Sequence, residues 1–155
     1  MNIRLACEND IPQIGGLLQQ VLKVHHQCRP DLFKENSRKY NDSQLAEIIS
    51  DSNRPLFVAE ENGTVLGYAF CVFKKTVNDT IFTSVKTMYI DDLCVDERFR
   101  RRGIGTALYR FVLDFAKTLG CYNVSLNVWT CNTTALKFYE HCGLRPQKIE
   151  LEKIL

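Results

Sequence analysis

The chain has 155 residues, one domain's length on the usual scale of ~100–200 residues. With 45% hydrophobic and 25% charged residues, its composition is that of a folded globular protein and excludes disordered, collagen-like and low-complexity classes. Twenty Lys and Arg against 18 Asp and Glu leave a net charge of +2, so any case for a polyanionic partner rests on local clustering.

Seven cysteines (Cys7, Cys28, Cys71, Cys94, Cys121, Cys131 and Cys142) are odd in number, and no two stand in a C-x-x-C spacing. A disulfide framework or a structural zinc site calls for paired or clustered cysteines. Most of these fall inside apolar patterns, where a free thiol behaves as a small hydrophobe. The segment from Met1 to Asp10 has no apolar run like that of a signal peptide, and Ile11 to Leu22 is broken by Pro12, Gly15, Gly16 and three glutamines. That stretch falls short of the ~18 apolar residues of a membrane span. The expectation is a cytoplasmic protein with reduced thiols, no membrane association and no metal.

Ile3 to Cys7 is a short strand candidate. Asn9 or Asp10 caps a helix with Pro12 in its first turn, and Ile11, Ile14, Leu17, Leu18, Val21 and Leu22 form its apolar stripe. Pro30 stops it; Arg29 to Asp42 is polar and irregular, and a second helix covers Ser43 to Ser50. Leu56–Ala59 and Val65–Phe73 are apolar runs joined through Asn62-Gly63, a strong hairpin signal. After a polar turn over Lys74 to Thr80 comes a third strand, through Val85, Met88 and Ile90 to Val95. A basic turn from Asp96 to Thr106 leads into a helix with Ile104, Leu108, Phe111, Val112, Phe115 and Leu119 on one face, closed by Gly120. Tyr122, Val124, Leu126 and Val128 alternate as a strand. Asn132 caps a last helix ending near Gly143, and Ile149 to Leu155 reads as a closing strand. No repeat or linker composition interrupts residues 1–155, which read as a single domain with a mixed α/β sheet.

The chemistry concentrates in Arg100-Arg101-Arg102-Gly103-Ile104-Gly105-Thr106, between a strand and a helix. The first backbone N–H groups of a helix lack intrahelical partners, and the helix dipole adds partial positive charge there. Glycines without Cβ open the backbone to a bulky anion, so the segment reads as a pyrophosphate-binding turn. It lacks the Lys of a Walker A loop, and Leu108 stands where a dinucleotide fingerprint needs its third glycine.

The R-x-x-G-x-G of Arg100, Gly103 and Gly105 resembles the acetyl-CoA pyrophosphate loop of the GNAT N-acetyltransferase superfamily. Tyr89-Ile-Asp-Asp-Leu-Cys-Val-Asp96 resembles that family's fourth strand. The segment from Asn132 to Leu144 resembles its N-x-x-A-x-x-[FL]-Y-x-x-x-G-F signature, with Leu144 replacing the usual Phe. The three blocks keep the family's order and cover roughly Arg54 to Leu155; the first ~50 residues agree only in element order. The resemblance implies mostly antiparallel N-terminal strands, then a splayed parallel pair, with helices on both faces. It implies an N-acetyltransferase that moves the acetyl group of acetyl-CoA to a primary amine within a ternary complex.

Carried over residue by residue, the resemblance implies cofactor contacts from Leu93, Cys94 and Val95, from Arg100, Arg101, Arg102, Gly103, Ile104, Gly105 and Thr106, and from Asn132, Ala135 and Tyr139. Strand N–H and C=O groups of Leu93–Val95 would pair with the pantetheine arm, one N–H polarising the thioester carbonyl, worth ~3 kcal/mol of barrier. Tyr139, by itself an ordinary core aromatic beside Ala135, Leu136 and Phe138, would protonate the departing thiolate, as a phenol of pKa ~10 can. Asn132 is at minimum a helix cap. Asp91 and Asp92 end an otherwise apolar strand, where adjacent residues point to opposite faces, so only one of them should face a given cleft. In spermidine/spermine-type members the first position looks like a base acting through water, which carries over to Asp91. A salt bridge is the plain alternative, and base and substrate anchor are not separable here.

Cys94 as an acyl-accepting nucleophile lacks a nearby His. His25, His26 and Arg29 close the first helix as substrate-side candidates, and adjacent histidines without a third ligand make no metal site. Two other readings stand beside the enzyme: a non-catalytic acyl-CoA-binding module, and a nucleic-acid-binding protein using Arg98–Arg102. The acceptor's identity is not written in the chain. Homodimers are common in the family, but no residue here demonstrates one.

Overall fold

The computed structural model describes residues 1–76 and 79–155. In chain order these form β1 (Asn2–Leu5), α1 (Ile11–Cys28), α2 (Asp42–Ser50), β2 (Leu56–Glu61), β3 (Thr64–Lys75), β4 (Lys86–Val95), α3 (Ile104–Thr118), β5 (Asn123–Leu126) and α4 (Thr133–His141). The sheet runs β1-β2-β3-β4-β5, antiparallel through β4 and parallel between β4 and β5. Asn62 and Gly63 turn the β2–β3 hairpin at φ 51° and 78°, the left-handed pair that a two-residue turn of matching twist requires.

Side-chain alternation builds a core on each face. Phe57, Ala69, Met88 and Ile90 meet Ile104, Leu108, Val112 and Ala116 of α3, with Phe138 of α4 packed beside them. Val58, Tyr68, Phe70 and Cys94 meet Ile14, Leu17 and Leu18 of α1 and Leu45 and Ile48 of α2. The helical stripe read from α1 is thus its buried face. Asn41 starts α2 through a reciprocal pair of 2.9 Å bonds with Gln44. At the start of α1, buried Asp10 takes both arms of Arg4 (2.7 and 2.9 Å) and the N–H of Cys7 (2.8 Å). The Arg4 guanidinium therefore holds the Asp10 carboxyl below the usual range.

Three expectations need correction. Residues 145–155 form no strand: Ile149, Leu151 and Ile154 are exposed, and the segment is pinned at Glu152 by Arg29 (2.8 Å). Its apolar residues suit a strand, but no partner strand or cover is present among the described residues. The strand read over Tyr122 to Val128 is only four residues long, because it pairs just with Thr87 to Ile90. The expectation of reduced thiols throughout fails for two: Cys28, at the end of α1, forms a disulfide with Cys131, 103 residues later, with Cα atoms 5.8 Å apart. No spacing rule reports a pair that only the fold brings together. Of the polar turn expected over Lys74 to Thr80, residues 77 and 78 lie outside the described residues.

Candidate active site

β4 outruns its parallel neighbour. The β4–β5 ladder ends at Ile90 and Leu126, while β4 continues to Val95 with only its β3 side paired: Ala69 with Leu93, Tyr68 with Cys94, Gly67 with Val95. The β5-facing edge of residues 91–95 therefore lines a gap, a place for an extended ligand to add like a strand. Gly67 lets the strands approach there, since a Cβ would stand 2.5 Å from the Cys94 carbonyl oxygen.

Within this stretch β4 carries a bulge. Phe70 pairs with Asp92 and Cys71 with Ile90, so Asp91 is the extra residue. The alternation reverses: Met88 and Ile90 face α3, whereas Cys94 faces α1. Asp91 and Asp92 thus both face the α1–α2 side, bonding to residues 39–40 and to Tyr68 respectively. The expectation that only one of the two should face a given cleft is overturned by this inserted residue.

Their environments differ. Asp91 is engaged by Lys39 Nζ at 2.7 Å and by the Tyr40 hydroxyl at 2.9 Å. Asp92 accepts from the Tyr68 hydroxyl at 2.8 Å. Burial pushes its carboxyl up to about 6, against the lowering effect of the Tyr68 bond and the Lys39 charge. Burial, and then the Asp92 charge, also raise Tyr139 on α4, so these two groups lie in each other's field. Cys94 is no nucleophile: burial and Asp92 push its thiol up to about 12.

The basic turn opens with buried Asp96, which accepts from the Arg98 N–H (3.0 Å) and from Arg98 Nη2 (2.7 Å), so Arg98 closes the turn rather than facing a ligand. Arg100 reaches back to the Val95 carbonyl (3.2 Å), and Arg102 lies 3.7 Å from Glu61. Arg101 (φ 62°) and Gly103 (φ 78°) take left-handed backbone angles that swing the chain into α3. No side chain caps α3, so its first N–H groups, from buried Ile104 through Gly105 and Thr106, keep their anion-binding capacity. The two glycines have different reasons. A Cβ on Gly103 would meet nothing within 4 Å, so its backbone angle is what matters; one on Gly105 would touch the Phe138 ring at 3.4 Å, where α3 packs on α4. Asn132 caps α4 through a 3.1 Å bond from the Ala135 N–H.

Of the α1 candidates, His25 packs against the Phe33 ring (4.9 Å, tilted) and is held below its usual pKa by burial and then by the Lys39 charge. His26 contacts the Phe33 carbonyl through Nδ1 (2.7 Å), and Arg29 binds Asp31 (2.6 Å) and Glu152 while lying over Trp129 (5.8 Å). Those two residues brace the end of α1. Sequence reasoning missed Lys39, Tyr40 and Tyr68. Tyr68 had a signal, a hydroxyl inside an apolar run; Lys39 and Tyr40 reach Asp91 from ~50 residues away. Among the described residues no group of three or more His, Cys, Asp or Glu is arranged to hold a metal.

Residues 18–144 match the sequence profile of the Acetyltransferase (GNAT) family. A glucosamine 6-phosphate N-acetyltransferase of Arabidopsis thaliana is 37% identical over 119 residues, 77% of this chain and 70% of the plant protein. A crystal structure of a variant of the BH1408 protein from Bacillus halodurans superposes with TM-score 0.96 at 29% identity, covering 100% and 99% of the two chains. An aminoglycoside N-acetyltransferase in complex with CoA shares the fold at TM-score 0.72 and 17% identity, covering 99% and 98%. The chain therefore belongs to the Acetyltransferase (GNAT) family of enzymes, whose members use acetyl-CoA as co-substrate.

Proposed function

We propose that residues 1–155 act as one N-acetyltransferase domain, passing the acetyl group of acetyl-CoA directly to an amine bound at the same time. The observation that carries this reading is Asp92: a carboxylate at the gap of the sheet that accepts from Tyr68 and is raised to about 6. The α3 N-terminus with Arg100, Arg101 and Arg102 binds the cofactor's diphosphate, and the free edge of Leu93–Val95 pairs with its pantetheine arm. Asn132 and Ala135, at the start of α4, flank the same arm.

Asp92 takes a proton from the acceptor ammonium, directly or through water. For an amine of pKa ~10.4, transfer to a base of about 6 is uphill by ~6 kcal/mol, against ~9 for a carboxylate at the ordinary 3.8. Burial of Asp92 thus lowers that penalty by about 3 kcal/mol. The freed amine forms its N–C bond at the thioester carbonyl as the C–S bond breaks. A β4 N–H at the gap donates to the developing oxyanion. The Tyr139 hydroxyl, kept protonated by its burial, gives its proton to the leaving sulfur. Asp91, already engaged by Lys39 and Tyr40, orients that side of the cleft.

One feature supports this reading over nucleic-acid binding: Arg98 is taken by Asp96 and so is not offered to a phosphate chain. No helix among the described residues is long and apolar enough to cross a membrane. Release of CoA thiol from acetyl-CoA across an amine panel tests the proposal. Amine-dependent release supports it; a folded protein that binds CoA and releases none with any amine is a binding module instead.

A further inference from the structure

We infer that the acceptor is an amine that also bears an oxyanion, a carboxylate or a phosphate, and that Arg54 and Lys74 hold that group while the amine lies at Asp92. The inference rests on the acetyl-transfer reading above. Its basis is the charge pattern on the α1–α2 face of the sheet.

Asn53 and Pro55 extend the ladder beyond β2, accepting from the N–H groups of Phe73 (2.9 Å) and Cys71 (3.0 Å). Alternation then puts Arg54 on the face of Leu56, towards α1 and α2. There its guanidinium carbon lies 5.7 Å from the ring centre of Tyr40, which stacks on Phe70 and donates to Asp91. Lys74 shares the alternation of Tyr68 and Phe70, and its Nζ lies 3.2 Å from the ring centre of Tyr89, two residues before Asp91. Two tyrosines thus flank Asp91, and each carries a cation on its ring.

The balance of charge decides what this face can hold. Lys39 is matched by Asp91 at 2.7 Å. Among the described residues, neither Arg54 nor Lys74 has a carboxylate within ion-pair distance. A cation resting on an aromatic face keeps its N–H donors free, and the planar fork of Arg matches a carboxylate or phosphate edge. A polycationic acceptor would meet Arg54, Lys74 and Lys39 with Asp91 already spoken for. The acceptor's reacting ammonium then meets Asp92, and its oxyanion meets Arg54 and Lys74.

Steady-state acetyl transfer to matched pairs tests this: ornithine against putrescine, and glucosamine 6-phosphate against glucosamine, within a wider amine panel. The oxyanion-bearing member of at least one pair should be preferred in kcat/KM by about tenfold or more, the scale of one charge-assisted contact. The pair with the larger ratio identifies the oxyanion. R54Q should raise KM for that oxyanion-bearing acceptor about tenfold with kcat nearly unchanged, leave the partner that lacks the oxyanion little affected, and be partly rescued by R54K. K74Q gives the same split without touching Arg54, should R54Q fold poorly. Equal use of both members, or variants that shift both members alike, overturns the inference and leaves acetyl transfer standing. No transfer to any amine by folded protein removes the acetyl-transfer reading and the inference with it.

Discussion

The hydroxyl of Tyr68 donates a 2.8 Å hydrogen bond to Asp92 Oδ2 from within the α1–α2 core, tying the carboxylate to the buried scaffold. The pair joins stability to function, because a charge placed there for chemistry is a charge the fold would hold more easily without. With a folded pKa above its ordinary 3.8, the Asp92 carboxyl favours the fold fully below that value. That contribution is lost as pH rises through about 6.

Asp92→Asn should therefore stabilise the protein at pH 8 by about 1–3 kcal/mol while changing little at pH 4. The same variant should lose about 100-fold or more in kcat/KM. Thermal or urea unfolding at the two pH values checks the first part. A variant destabilised at pH 8 would show that Asp92 is held as a structural charge.

Tyr139→Phe removes only the hydroxyl from α4. Turnover should fall about 100-fold, with the dissociation constant for acetyl-CoA within about twofold, as expected of a group acting on the leaving sulfur alone. An unaltered kcat would take the acid role from Tyr139.

Much of this was legible in the chain. Asn62-Gly63 specified its hairpin, the stripe Ile14, Leu17, Leu18 its buried helix face, and the basic turn with the Asn132 segment pointed to the family. What stayed hidden depends on contacts distant in sequence. The bulge at Asp91 is a register event between β3 and β4, and it alone puts both carboxylates on one face. Nothing near Lys39 announces a partner at Asp91, nor anything near Cys28 a partner at Cys131. The final segment misled because its apolar residues, Ile149, Leu151, Ile154 and Leu155, suit a strand, but no partner strand is present among the described residues.

The disulfide between Cys28 and Cys131 closes a long loop, for which ~2–4 kcal/mol of stabilisation is typical. Unfolded but unreduced protein should titrate five thiols, and reduced protein seven. Reduction should lower stability by about that amount. Seven thiols before reduction would remove the bridge.

Arg101→Gly separates backbone from charge. A left-handed φ of 62° costs a non-glycine residue ~1 kcal/mol, so the variant should fold at least as stably. Its affinity for CoA should nevertheless fall several-fold, with a weaker salt dependence, because a cation beside the diphosphate is gone. Unchanged CoA affinity by titration calorimetry would place the diphosphate elsewhere.

The pH profile of kcat/KM, measured side by side for the wild type and Tyr68→Phe, is the sharpest measurement. The wild-type profile should show a rising limb with an apparent pKa near 6, the value to which burial brings Asp92. Loss of the Tyr68 bond, which favours the charged carboxylate, should move that limb upward by about one unit. A limb that stays in place when Tyr68 loses its hydroxyl would mean that another group removes the proton.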